Sequence, residues 1–206
     1  NMFKMPVKFF IKFFKNHGLL QIKNRPKWWV IKGGSNQYIE KIISGYKNSI
    51  MLSTPVKLVK RFEKQVEIIF KNKNLESETF DKVIFATHSD QALKLLEKPT
   101  REESKILKAL PYQKNEVLLH LDDSILPKRK LAWASWNYLL DSNFDSPVAL
   151  TYNMNILQNL NSDNTFCVTL NNHSTIDPNK VLKKIIYHHP LFTADGIKAQ
   201  AKKHEI

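Results

Sequence analysis

The chain has 206 residues, 42% of them apolar and 25% charged, which is enough for a packed core and excludes a disordered polymer. Lysine and arginine outnumber aspartate and glutamate by 32 to 19, a formal net charge of +13, yet Arg25, Arg61, Arg101 and Arg129 are the whole arginine set. A lysine excess spread along the chain lacks the concentrated arginine forks of base readout, so nucleic acid is not an expected partner.

Residues 3–17 read as a helix. Phe3, Val7, Phe10 and Phe14 recur at helical spacing, and Lys4, Lys8, Lys12 and Lys15 share another stripe. Its apolar arc either covers a core, with lysine stems at the rim, or lies on an anionic bilayer; the core is the commoner use of such a helix. Trp28 to Ile31 then suggest a strand. Gly33-Gly34 gives a permissive turn, and Ser35 opens a helix with Ile39, Ile42, Ile43 and Tyr46 on one face. "TPVKLVKRF" and "QVEIIF" alternate as strands, and "KNKN" turns the chain.

"FDKVIFA" follows as an uninterrupted apolar run. Such runs belong to strands covered on both faces, as in parallel sheets, where ligands collect at the carboxyl ends. Thr87, His88 and Ser89 stand at that end. Beyond it, Thr100 and Glu103 form a capping box, and Pro111 closes the helix they start. "NEVLLHLD", "LAWASWNY", "PVALTY", "TFCVTL" and "KIIYHH" are strand candidates with turn-rich pieces between them, the pattern of an α+β domain around a largely antiparallel sheet. Asp177-Pro178 looks like a helix start, and Thr193 caps a last helix.

Few residues offer chemistry. His88, Ser89 and Asp90 are the ingredients of a hydrolase triad, but consecutive residues at a strand end point in alternate directions, and no nucleophile-elbow glycines flank them. Ser89 or Asp90 capping the next helix is the plainer account. His188-His189 lacks any partner at metal-ligand spacing, so no metal site is expected. His17, His120, His173 and His204 are isolated and read as structural or surface histidines. Cys167, alone in an apolar strand, reads as a small buried hydrophobe and points to a reducing, cytoplasmic compartment. "KGGS" lacks the spacing of a phosphate loop, and stays open between a ligand contact and a simple turn.

The order of "KGGSNQYIEKI", "LSTPVKLVKR" and "FDKVIFATHSDQALKLL" resembles the middle of the flavin-containing amine oxidase superfamily. "ALPYQKNEVLLH", "AWASWNY", "LTYNMNILQNL" and "YHHPLFTADGIKAQ" are similar to a narrower bacterial branch of NAD/FAD-binding, FAD-dependent oxidoreductases. The resemblance implies α/β plus α+β architecture: part of a Rossmann-like FAD-binding domain interleaved with a mixed, largely antiparallel substrate domain. It divides the chain into a substrate-domain helix and connection (1–31), a partial FAD-binding domain (32–88), a substrate domain (89–190) and the start of a C-terminal helix (191–206). By the same resemblance Gly33, Gly34, Val56, Ala86 and Thr87 contact FAD, and no catalytic residue is identified.

The family's dinucleotide fingerprint and its closing C-terminal segment are absent, so the chain is expected to be an internal piece that does not retain flavin by itself. The expected activity is hydride transfer from a small or lipid-like substrate to flavin. With a lipid-like substrate, the 3–17 helix would make a peripheral membrane contact. The contrasting reading is a non-enzymatic basic module that binds anionic lipid or nucleic acid.

Overall fold

The computed structural model describes residues 5–71, 76–139 and 149–206. Two compact units divide the chain: Asn1–Ile42 with Tyr112–His189, and Ile43–Pro111 with Pro190–Ile206. Together they form a mixed α/β structure with two sheets and, among the described residues, six α-helices.

In the second unit, β1 (Val56–Arg61), β2 (Val66–Phe70) and β3 (Ser77–Phe80) make an antiparallel meander in that order. Val59, Val66 and Phe70 are its buried side chains; Val66 and Phe70 follow the alternation of the sequence, whereas on β1 Val59 is buried and Val56 and Leu58 are half-buried. Helix α3 (Ser89–Leu95) packs on β1, where Leu96 bridges Val59 in parallel and the Glu97 N–H donates to the Val59 carbonyl at 3.1 Å. Helix α4 (Arg101–Lys108) lies between α3 and α6 (Ala194–Ala201). Ala92, Leu96, Ile106 and Ala199 close this small core.

The caps form where the sequence puts them. Thr100 Oγ1 accepts from the Glu103 N–H at 3.1 Å, Glu103 Oε2 accepts from the Thr100 N–H at 2.7 Å, and Thr193 Oγ1 accepts from the Gly196 N–H at 3.0 Å. Glu103 also takes a two-pronged Arg61 guanidinium, which holds its carboxyl below the usual carboxylate range despite burial. Thr100→Ala removes one acceptor from this helix start and is expected to cost about 1 kcal/mol in urea denaturation. An unchanged midpoint would mean that Arg61 alone fixes Glu103.

The first unit is built on five strands in the order β5-β6-β7-β4-β8. They are β4 (Tyr112–His120), β5 (Trp136–Leu139), β6 (Ala149–Asn153), β7 (Cys167–Leu170) and β8 (Val181–Pro190), with helix α5 (Met154–Gln158) after β6. β5, β6, β7 and β4 pair antiparallel, with Thr151 opposite Thr169 and Leu118 opposite Thr169 across β7. Val117, Leu118, Leu126, Cys167 and Ile176 are buried here. The same unit carries α1 (Val7–Asn16) and α2 (Asn36–Ile43).

Three expectations fail in instructive ways. Residues 82–86 belong to no strand, and Ile84 is 91% exposed. β3 ends at Phe80 because Phe80 already faces Val66, the first residue of β2, so "KVIFA" extends past the strand it would pair with. The parallel sheet read from that run is not seen: the three-stranded sheet that precedes it is an antiparallel meander. Trp28 to Ile31 likewise form no strand and are exposed. Helix α1 buries none of its residues, so its apolar arc covers no core. The turns expected at "KNKN" and "DSNFDSP" fall largely or wholly outside the described residues.

Candidate functional site

Gly33 and Gly34 sit in the turn that feeds α2, with φ of +82° and +83°. The Gly34 N–H donates to the Ile31 carbonyl at 2.9 Å, and the Gln37 N–H donates to the Gly34 carbonyl at 3.2 Å, so the turn is tied to both neighbours. Side chains other than glycine rarely adopt this backbone. A Cβ on Gly33 would meet the Gln37 side chain at 3.1 Å, whereas one on Gly34 would meet nothing within 4 Å. Gly34 therefore presents bare backbone to open space just before a helix N-terminus.

Val56 is the half-buried first residue of β1, opposite Phe70, with a register shift before Leu58. β1 is an edge strand, so one side of its backbone near Val56 has no strand neighbour among the described residues. Ala86 and Thr87 are exposed and lead directly into α3. These three residues lie in the three-stranded unit, while Gly33 and Gly34 lie in the five-stranded one.

His88, rather than Ser89 or Asp90, is the N-cap residue of α3: its N–H donates to Gln91 Oε1 at 3.3 Å, and its ring lies 3.8 Å from the Asp90 carboxylate. The triad ingredients thus serve a helix start. His189 Nδ1 accepts from Asn115 Nδ2 at 2.8 Å, while Asn115 Oδ1 accepts from Gln113 at 3.0 Å and Asn171 at 2.8 Å. No group of three or more His, Cys, Asp or Glu among the described residues is placed to hold a metal.

The most organised polar chemistry is one the sequence did not single out. His120 is fully buried at the end of β4, and its Nε2 is 2.8 Å from Thr169 Oγ1, itself 2.9 Å from Thr151 Oγ1. The Asp122 N–H donates to His120 Nδ1 at 3.2 Å, so Nε2 carries the proton and donates to Thr169. Burial pushes the His120 pKa below its ordinary value, against the pull of the Asp122 charge. Asp122 is 3% exposed. Its Oδ2 accepts from the Asp177 N–H at 2.9 Å, and Oδ1 accepts from Ser124 Oγ at 2.8 Å, the Ser124 N–H at 3.3 Å and Lys180 Nζ at 3.2 Å. Led by the Asp177 bond, these contacts hold its carboxyl well below the usual range.

Cys167 is fully buried beside this network, with its thiol pushed up to about 11 mainly by burial, which makes it a poor nucleophile at neutral pH. A faint signal of the network existed: His120 and Asp122 interrupt the apolar run "VLLHLD" at alternate positions. Nothing in one sequence pairs them with Thr151, Thr169 or Lys180. Trp136 packs edge-on to Tyr152 at 5.9 Å and is 53% exposed on the edge strand β5.

No helix among the described residues is long and apolar enough to cross a membrane. No protein-family model matches the chain, and neither does any curated protein. Among solved structures, the crystal structure of CLA-producing fatty acid isomerase from P. acnes is similar at a TM-score of 0.43 and 11% identity, over 71% of this chain. The chain spans 37% of that protein's length. That distant neighbour is an enzyme, and a likeness this weak transfers none of its properties.

Proposed function

We propose that this chain is part of an FAD-dependent oxidoreductase of the amine oxidase and desaturase type, acting on a small or lipid-like substrate. The observation that carries the reading is the Gly33-Gly34 turn, two successive left-handed residues with open space at Gly34 ahead of α2. A turn without side chains admits a bulky anionic group to backbone amides and to the positive end of a helix. The motif order of the sequence supplies the rest of the support. FAD, when bound, supplies the hydride-accepting ring.

The chain's own part is positional. Gly33 and Gly34 offer backbone for close approach, the edge of β1 at Val56 offers a free strand side, and Ala86 and Thr87 lead the chain away into α3. No side chain is assigned as acid or base. Gly34→Val forces a β-branched residue into the left-handed region, a strain of about 1–2 kcal/mol, and is expected to weaken FAD binding roughly tenfold in the protein produced from its complete reading frame. Equilibrium titration followed by flavin fluorescence checks this. Unchanged affinity with an unchanged fold would remove Gly34 from the cofactor's surroundings.

A further inference from the structure

Residues 1–39 hold eight lysines and arginines and no aspartate or glutamate, a one-sided charge found nowhere else in the chain over that length. Among its described residues the same stretch is rich in exposed apolar side chains. Leu19 to Gly33 are exposed without interruption, including Ile22 at 91%, Trp29 at 77% and Trp28 at 63%. On α1, Val7, Phe10 and Ile11 are exposed along one face, with Lys8, Lys12 and Lys15 exposed beside it.

These side chains are joined into one surface. Gly18 takes a φ of +64° at the end of α1, and Pro26 packs so closely that a Cβ on Gly18 would run into Pro26 Cδ. The fold-back stacks Trp28 on His17 with ring centroids 5.8 Å apart, and His17 Nδ1 is anchored 2.7 Å from the Phe13 carbonyl. Arg25 Nε donates to the Gln21 carbonyl at 2.9 Å, and Lys27 Nζ lies 4.4 Å from the Trp29 ring centroid. Two tryptophans and an apolar helix face are therefore held next to basic side chains.

We propose that this surface, α1 with residues 19–31, docks on a phospholipid bilayer that carries anionic headgroups. An acid-free basic strip complements such a bilayer, and tryptophans with amphipathic surroundings settle at headgroup level. The aliphatic share (Leu20, Ile22, Val30 and Ile31) enters an acyl boundary but gives no stacking platform for bases, and one arginine in the whole stretch is poor equipment for phosphodiester forks. A bilayer thus fits better than a nucleic acid. This contact is independent of any flavin site.

The test is flotation of the protein produced from its complete reading frame with phosphatidylcholine vesicles, with and without phosphatidylglycerol, beside retention on duplex DNA at the same salt. The chain is expected to float with the anionic vesicles only, and less as salt rises. Ile22 and Trp29 are exposed and lie outside the Trp28–His17 stack, so Ile22→Ser with Trp29→Ser leaves the fold-back in place and weakens binding roughly tenfold or more. Lys8→Gln, Lys12→Gln and Lys15→Gln together weaken it roughly a hundredfold. Absence of flotation, equal flotation with neutral vesicles, or both variants floating like the parent overturns the proposal. Retention on DNA without flotation does so too, in favour of a nucleic-acid surface.

Discussion

Asp122→Ala is expected to lower the stability of the five-stranded unit by about 3 kcal/mol. The carboxylate links the end of β4 to Ser124 and to the Asp177–Lys180 turn that leads into the neighbouring strand β8. Removing it leaves the part-buried Asp177 N–H without its acceptor, while the exposed Ser124 hydroxyl turns to water. Lys180 is 45% exposed at its side chain and simply returns to solvent, which is why the loss falls short of that for a fully buried ion pair. Asp122→Asn keeps one carbonyl oxygen and is expected to lose about half as much.

The pH dependence follows from the sign of the shift. The folded pKa lies below the unfolded value of about 3.9, so the contribution of Asp122 is complete at neutral pH. It is lost as pH falls below that value toward the folded pKa. Urea denaturation should therefore show the gap between parent and Asp122→Asn narrowing from pH 6 down to about pH 3. A constant gap would mean that charge is irrelevant and that only the hydrogen-bond geometry counts.

His120→Ala is expected to cost a similar amount, about 3 kcal/mol, for a different reason. It opens a cavity where β4 meets β7 and leaves the Asp122 N–H and the Thr169 hydroxyl without their imidazole partner. Thr169→Val removes one hydroxyl and leaves Nε2–H buried and unpaired, a loss of about 1–2 kcal/mol. Because both act on one hydrogen bond, the double variant should lose less than the sum. The pH effect has the opposite origin to that of Asp122: His120 is held neutral, so protons bind the unfolded chain first. Stability from this site is lost as pH falls through the unfolded histidine pKa, about 6.5. NMR titration of the His120 ring should show a neutral Nε2–H tautomer at pH 6; a charged ring at that pH would contradict the network.

Legibility followed local physics. Alternation identified β1 and β2, and apolar composition between turn-rich pieces identified β4 and β7. Thr100, Asp177 and Thr193 were readable as caps because the partners they satisfy lie two or three residues away. What failed depended on distant partners. The run "KVIFA" has strand composition, yet a strand exists only where another backbone lies alongside, and β2 ends first. The network of His120, Thr151 and Thr169 joins three strands whose register no single segment encodes. Of the residues read as cofactor contacts, the structure gives Gly33 and Gly34 a distinctive backbone and leaves Val56, Ala86 and Thr87 with ordinary strand and loop roles.

The flavoprotein reading stands or falls on one measurement: the flavin content of the protein purified from its complete reading frame, determined by absorbance and by chromatography of the cofactor released on denaturation. The proposal predicts FAD bound in stoichiometric amount, with the flavin bleached when a substrate is supplied without oxygen. A colourless, folded protein that gains no flavin on incubation with FAD would contradict it.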